Sequence, residues 1–400
     1  MATSRRTFIA GMAASSVAGL AQGAAAQPPP AVTAGLSPGL TYLNTGSLGP
    51  TPRPVLDRML GAWRTLELNP VVNAYGEGAA LAAAEAARAQ AAGFLGCAPD
   101  DLLIANGTTD ALNIVAGAVR LAPGEAVLTS DQEHHGGTAG WHYRARRDGI
   151  RIDRVPVRPD ENDGAAIVAR FAAAIRPETR VISVSHVLFS TGHRMPVAEL
   201  SALARARGLL CVIDGAQAVG MIPVDVRRLG CHAYAASGHK WLMGPKGTGL
   251  LYISPDARDR IEPMRWELGR NYVAESSGMG PLPLVAGLGA AIEAAQATGI
   301  EAIERRVLAL RNRLWTGLSA LPGATMASPP PGALASGLLT IRLPDRIEAR
   351  PFMRGMRERF GIVARVIPAD WFNGLRFSTH IFNTEAEVNR AVEALRQSLN

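Results

Sequence analysis

Leu209-Leu-Cys-Val-Ile-Asp-Gly-Ala-Gln217 is a run of five apolar residues that ends in a carboxylate, Asp214. A strand apolar on both faces has no solvent side, so it belongs inside a largely parallel sheet covered by helices. Ligands of such sheets gather at the carboxyl ends of the strands, which puts Asp214 at a ligand edge. An aspartate there can equally be a turn residue. Downstream lies Ser237-Gly-His-Lys240-Trp-Leu-Met-Gly-Pro-Lys246-Gly-Thr-Gly249, and these two lysines are the only ones among 41 Lys and Arg. A chain that uses arginine for surface charge keeps a lysine where arginine fails. A desolvated lysine can lose its proton and attack a carbonyl to form a Schiff base, which arginine cannot do. Lys240 fits that role, whereas Lys246 reads as part of a glycine-rich turn.

Working outward, helical and strand signals alternate from residue 77. Short strands are expected at Asp101–Ala105, Ala126–Thr129, Arg151–Val157, Arg180–Val187 and Thr248–Ile253. Helices are expected at Glu77–Phe94, 111–120, Ala165–Ile175 and Val197–Arg207. The pattern is α/β, with a mostly parallel central sheet between helices. Helices at 283–297 and 300–320 follow, then a break at Ser328-Pro-Pro-Pro-Gly332 and a strand–helix alternation ending in the amphipathic helix Glu385–Leu399. That is a smaller α+β domain. The expected division is a signal at 1–26, an arm at 27–51, a large cofactor-binding domain at 52–285 and a small domain at 286–400.

Ser4-Arg5-Arg6-Thr7-Phe8-Ile9 resembles a twin-arginine export signal, with Ala24-Ala25-Ala26 as a small-residue cleavage site before Gln27. The stretch between them carries Ser, Gly, Thr and Gln. That suits a removable signal better than an anchor of about 20 strongly apolar residues. The reading implies passage through the twin-arginine machinery to the periplasm, with no stable membrane insertion. The net charge of +7 is spread over arginines interrupted by acids, so a solvated face is expected and not a nucleic-acid groove. Cys97, Cys211 and Cys231 are odd in number and widely spaced, with no disulfide or metal pattern; no metal site is expected.

A Schiff-base lysine paired with a strand-end carboxylate points to pyridoxal 5'-phosphate, whose ring nitrogen must stay protonated for the ring to act as an electron sink. Gly107-Thr108-Thr109, where a strand turns into a helix, offers N–H groups, a helix dipole and two hydroxyls to a phosphate. Ser237 and His239 flank Lys240 and can add donors. Glu133-His134-His135-Gly136 follows another strand, and an imidazole there can lie on a flat ring. In this order the residues resemble the class V aminotransferase family of fold-type I pyridoxal-phosphate enzymes. The strongest elements are Val212–Gln217, Ser237–Lys240 with Gly244–Gly249, and Leu375-Arg-Phe-Ser-Thr-His-Ile-Phe-Asn-Thr384. Tyr42-Leu-Asn-Thr-Gly-Ser-Leu-Gly-Pro50 looks most like the isopenicillin N epimerase-like branch.

The resemblance implies roles residue by residue. Lys240 would be the Schiff-base lysine, Asp214 the partner of the ring nitrogen, Gln217 a contact of the ring hydroxyl and His134 the stacking ring. Thr108, Thr109, Ser237 and His239 would hold the phosphate, and Arg376 the substrate α-carboxylate. Thr248 would reach the phosphate of a neighbouring subunit, which implies a homodimer with shared sites. Trp371, Phe372 and Arg270 are weaker substrate-contact candidates. Cysteine desulfurases carry a nucleophilic cysteine before the carboxylate-binding arginine; Ile362–Gly374 has none. Phe189 and Ser190 stand where many relatives place an asparagine. The expected activity is an aminotransferase or epimerase acting at Cα of an amino acid. A carbon–sulfur lyase is the alternative, and an exported non-catalytic binding protein is the alternative of another class.

Overall fold

The structure, a computed structural model, describes residues 35–76, 78–262 and 280–399. The expected export segment and Arg270 lie outside the described residues. The chain enters through β1 (Thr41–Tyr42), then α1 (Arg53–Leu68), α2 (Pro70–Tyr75) and α3 (Ala80–Leu95) precede β2 (Leu102–Ala105). From there α4 (Thr108–Ala118), β3 (Ala126–Ser130), α5 (His135–Asp148), β4 (Arg151–Val155), α6 (Gly164–Ala174), β5 (Thr179–Ser185), α7 (Val197–Ala206) and β6 (Leu210–Asp214) alternate. The strands β7 (Ala233–Ser237) and β8 (Gly249–Ile253) complete a seven-stranded sheet of order β2-β8-β7-β6-β5-β3-β4. Only β8 runs against its neighbours. Sheet residues of β3, β5 and β6 are buried on both faces, as their apolar runs require.

The sequence reading missed α1, α2, α5 and β7. α5 is rich in Gly, His and Arg, and Ala233-Tyr-Ala-Ala-Ser237 carries one large side chain, so neither shows a periodic apolar stripe. Helix α4 starts three residues before the expected 111. Gly107, at φ 155°, turns the chain sharply enough to put Thr108 and Thr109 in the first helical turn.

Beyond residue 280, α8 (Leu282–Thr298) packs on α1 and α3, and α9 (Ile300–Ser319) leads into a second sheet. That sheet is antiparallel, of order β12-β13-β10-β9, built from β9 (Thr325–Met326), β10 (Leu338–Arg342), β12 (Arg365–Val366) and β13 (Gly374–Ser378). With α10 (Ala349–Phe360) and α11 (Glu385–Leu399) it encloses a separate core around Leu314, Leu339, Phe377 and Leu395. The entering arm is stitched to this unit, β1 pairing in parallel with β11 (Ile362–Val363). Gly46 and Ser47 are thereby carried between the two sheets.

Candidate active site

The sheet reverses its winding at β5, flanked by β3 on one side and β6 on the other, and the crevice at such a point is where a ligand fits. A cleft of about 440 Å³ opens there. Its floor comes from the carboxyl ends of β2, β3, β5, β6 and β7, through Thr108, Thr109, His134, Ser185, Asp214, Gln217, Ser237, His239 and Lys240. Gly46 and Ser47 of the arm and Arg365 and Arg376 of the small sheet close it from above.

Lys240 is held where burial pushes its ammonium down to about 8, against the opposing pull of Asp214. Arg376 and Arg365 add a smaller downward push. Asp214 is buried and its carboxyl is raised by that burial, while Lys240 and the 2.8 Å bond from the Ala216 N–H hold it down. A Cβ on Gly137 would sit 2.7 Å from Asp214 Oδ2, so the first turn of α5 can press on this carboxylate only as glycine. His134 caps α5, its Nδ1 accepting from the Gly136 N–H at 3.0 Å, which leaves its ring proton on Nε2. Burial, then Lys240 and Arg376, bring it down to about 4, so the imidazole is neutral. Its ring meets Phe189 edge-on at 4.7 Å, and Phe189 meets Trp371 likewise.

The phosphate candidates divide. Ser237 Oγ accepts from the Thr108 N–H at 3.1 Å and lies 2.7 Å from Thr108 Oγ1, tying β7 to the start of α4. Thr109 and His239 also line the cleft, and His239 Nδ1 is buried without a partner. Thr248 does not face the cleft: its hydroxyl is fully buried and donates to the Pro245 carbonyl. Gln217 is pinned at both ends, Nε2 donating to the Gly46 carbonyl and Oε1 accepting from the Trp241 indole, each at 2.8 Å. It keeps one amide hydrogen for a ligand. Lys246 spans to the arm, donating to the Gly49 carbonyl and Thr51 hydroxyl, as a turn residue would.

Arg376 is 2% exposed and donates to the Phe189 carbonyl and, at 3.1 Å, to Ser47 Oγ, while its Nε is buried without a partner. Burial and the neighbouring Arg365 bring it down to about 9. Phe372 stacks under Arg342 and neither it nor Trp371 lines the cleft.

Two residues carry weight here that sequence reading did not give them. Glu133 is a buried carboxyl beneath the cleft, accepting from Ser130 Oγ at 2.5 Å and from the N–H and hydroxyl of Ser185 at 2.9 and 2.5 Å. Burial raises it to about 7 despite those donors, with Asp214 adding to the rise. Its place beside His134 was the only signal. Arg365 stands opposite Arg376 across β12–β13, a pairing no periodicity reveals.

The aminotransferase class-V family profile matches residues 41–391. Isopenicillin N epimerase of Streptomyces clavuligerus is 36% identical over 383 residues, covering 90% of this chain and 95% of that one. A probable cysteine desulfurase of Methanothermobacter thermautotrophicus is 29% identical, over 89% of this chain and 94% of its own. Among solved structures, a C-DES mutant with glycine covalently linked to its PLP cofactor superposes with a TM-score of 0.83 at 27% identity, covering 92% and 99% of the two chains. The cystine C–S lyase C-DES with its product cysteine persulfide gives 0.81 at 28%, covering 89% and 97%. The cofactor is pyridoxal 5'-phosphate, and the cleft fits it. Lys240 offers an amine that can lose its proton, Asp214 a buried carboxylate for the ring nitrogen, and Thr108, Thr109, Ser237 and the unpartnered His239 Nδ1 donors for a phosphate. A half-buried lysine just past the end of one strand, a carboxylate at the end of its neighbour and a donor-rich helix start across from both are what the sequence match runs through, and the chain belongs to the aminotransferase class-V family of pyridoxal-phosphate enzymes.

Proposed function

We propose that this enzyme takes a proton from Cα of an amino acid and returns it so as to invert the centre or transfer the amino group. The observation that carries this is the convergence of Lys240 and Arg376 on one cleft. The bound cofactor supplies the electron sink that acidifies the Cα–H bond. Arg376 holds the α-carboxylate through its guanidinium fork, and so sets which bond of Cα faces Lys240. Lys240 Nζ takes the proton; an amine with a value near 8 keeps a useful unprotonated fraction at neutral pH. His134, neutral at that pH, lines the cleft and would lie against the cofactor ring without placing a positive charge there. The 36% identity to an epimerase supports this reading.

A second reading, β-elimination at a carbon–sulfur bond, is supported by the likeness to the cystine C–S lyase. It would use the same Lys240. Persulfide transfer to a protein thiol has no support, because all three cysteines are buried away from the cleft, with burial pushing Cys97 to about 12 and Cys211 to about 11. Incubating mature holoenzyme with single L- and D-amino acids, with and without a keto-acid acceptor, separates the readings. Inverted stereochemistry or new keto acid supports the first, sulfide with ammonia the second, and no change in any amino acid defeats both.

We also propose a homodimer and an exported location. Leu60, Trp63, Leu68, Val71 and Val72 on α1 and α2 leave an apolar face 44 to 84% exposed, which a second copy would cover. Sedimentation of the mature protein at micromolar concentration tests the dimer. Replacing Arg5 and Arg6 by lysine should leave precursor inside the cell; normal export of that variant would dismiss the twin-arginine reading. Among the described residues no helix is long and apolar enough to cross a membrane.

A further inference from the structure

Gln217 lines the cleft just beyond β6, yet its amide is not free to turn. The Trp241 indole donates to Oε1 at 2.8 Å, and Nε2 donates to the Gly46 carbonyl at 2.8 Å. Both partners have fixed polarity. An indole nitrogen can only donate and a backbone carbonyl can only accept, so one orientation of the amide satisfies both. Turned over, the amide would set hydrogen against hydrogen at the indole and oxygen against oxygen at the arm. A Cβ on Gly46 would come within 3.0 Å of Oε1, so the arm reaches this amide only as glycine.

Trp241 is in turn held from the small domain. It is buried, it follows Lys240 directly, and His380, just beyond β13, stacks on its indole with ring centres 5.7 Å apart. His380 Nε2 donates to the Trp241 carbonyl at 2.9 Å, and Phe382 stacks on His380. Burial brings His380 down to about 4, so the ring is neutral and keeps its one hydrogen for that bond. Gly337 comes so near that a Cβ there would lie 2.8 Å from the indole Cη2. A ring that only filled the core would need no acceptor placed on the cleft floor. Here the acceptor is Gln217 Oε1, and losing the indole donor would leave that oxygen buried and unpaired.

We propose that Trp241 is a positioning residue: its indole N–H locks the Gln217 amide so that the cofactor's ring oxygen meets an N–H donor and not the amide oxygen. This rests on the reading that Gln217 meets that ring oxygen. A donor there favours negative charge on the oxygen, and so weakens the hold of the Lys240–cofactor linkage on its own proton. Arm, lysine loop and small domain thus bear on one amide, through Gly46, Trp241 and, behind Trp241, His380.

The test compares purified holoenzyme with the variants Trp241→Phe, which keeps an aromatic ring but no donor, Gln217→Leu, and both together. Two properties are read: the pH midpoint of the cofactor absorption change, and the rate of cofactor release on dilution. Gln217→Leu should raise the midpoint by about one pH unit and Trp241→Phe by about half that, each speeding release about 3- to 10-fold. The double variant should match Gln217→Leu in both readouts, since with the amide gone the indole has nothing left to orient. A shift in Gln217→Leu with none in Trp241→Phe, or effects that simply add, overturns the orienting role and leaves the Gln217 contact standing. No shift in Gln217→Leu overturns both. Should Trp241→Phe fail to fold, the indole N–H signals in NMR spectra of holoenzyme and of Gln217→Leu decide. One of them should move on the substitution, and none moving overturns the bond on which the proposal stands.

Discussion

Lys240, on the wall made by the seven-stranded sheet, faces the buried carboxylate Asp214, whereas Arg376, on the wall made by the four-stranded sheet, faces another arginine. The first wall also buries Glu133, so it holds acid and base within one folded unit. Among the described residues, the second wall sets Arg365 opposite Arg376 with no carboxylate paired to either. Where charge is balanced inside the protein, the site is organised before anything binds. Where it is not, the missing anion must arrive with the ligand. The strand-end wall is thus suited to a resident cofactor, and the small-sheet wall to a substrate that comes and goes.

The comparison breaks most visibly at Lys240. Lys240→Ala should lower turnover by about 1,000-fold or more, since it removes the group we propose to move the proton. The variant should still retain cofactor through the phosphate donors and Asp214. Borohydride treatment of wild type should fix a pyridoxyl group on Lys240, and mapping of that group to Lys246 would overturn the assignment.

On the opposite wall, Arg376→Ala should cost about 2–4 kcal/mol of transition-state binding, or roughly 30- to 1,000-fold in kcat/KM. Arg376→Lys should recover only part, because a point charge cannot reproduce a fork. Simple amines should lose far less than amino acids. Equal losses for both would mean that Arg376 serves the fold, through Phe189 and Ser47, and not the carboxylate.

Glu133 sharpens the first half of the comparison through pH. Its carboxyl is raised in the folded state, from an ordinary 4.5 to about 7, so the native protein binds that proton more tightly than the unfolded chain does. Its contribution is therefore complete below pH 4.5 and declines as pH rises to about 7. The amplitude is of order 3 kcal/mol. Glu133→Gln cannot ionise, so urea midpoints measured from pH 5 to 8 should lose that downward component. An unchanged pH slope would show that the three hydrogen bonds from Ser130 and Ser185 keep Glu133 ionised.

The smallest effect lies outside both walls. Asp163 caps α6 by accepting from the Ala165 and Ala166 N–H groups at 2.9 and 3.3 Å. Asp163→Ala should cost about 1 kcal/mol of stability and leave kcat/KM within about twofold. A larger change in activity than in stability would mean that the cleft is not insulated from α6.

The sequence by itself determined the sheet and the ligand-edge positions of Asp214 and Lys240. Runs such as Leu209–Ile213 have no polar face to expose, so they can only be interior parallel strands, and Asp214 at the end of one must then lie at the ligand edge. A solitary pair of lysines in an arginine-rich chain singled out Lys240 before any neighbour was known. Tertiary structure alone decided what surrounds them. Glu133 is an unremarked acid in sequence and becomes a raised carboxyl only because β5 brings Ser185 over it and seals it from water. Arg365 is one arginine among many until antiparallel pairing sets it opposite Arg376. Thr248 matched a motif, and only the tertiary structure shows its hydroxyl donating to the Pro245 carbonyl. Patterns along a chain report which face of an element is buried, because that depends on a local period of side chains. Which charges meet across two sheets depends on contacts between residues hundreds of positions apart, such as Ser47 with Arg376, and no local period encodes those.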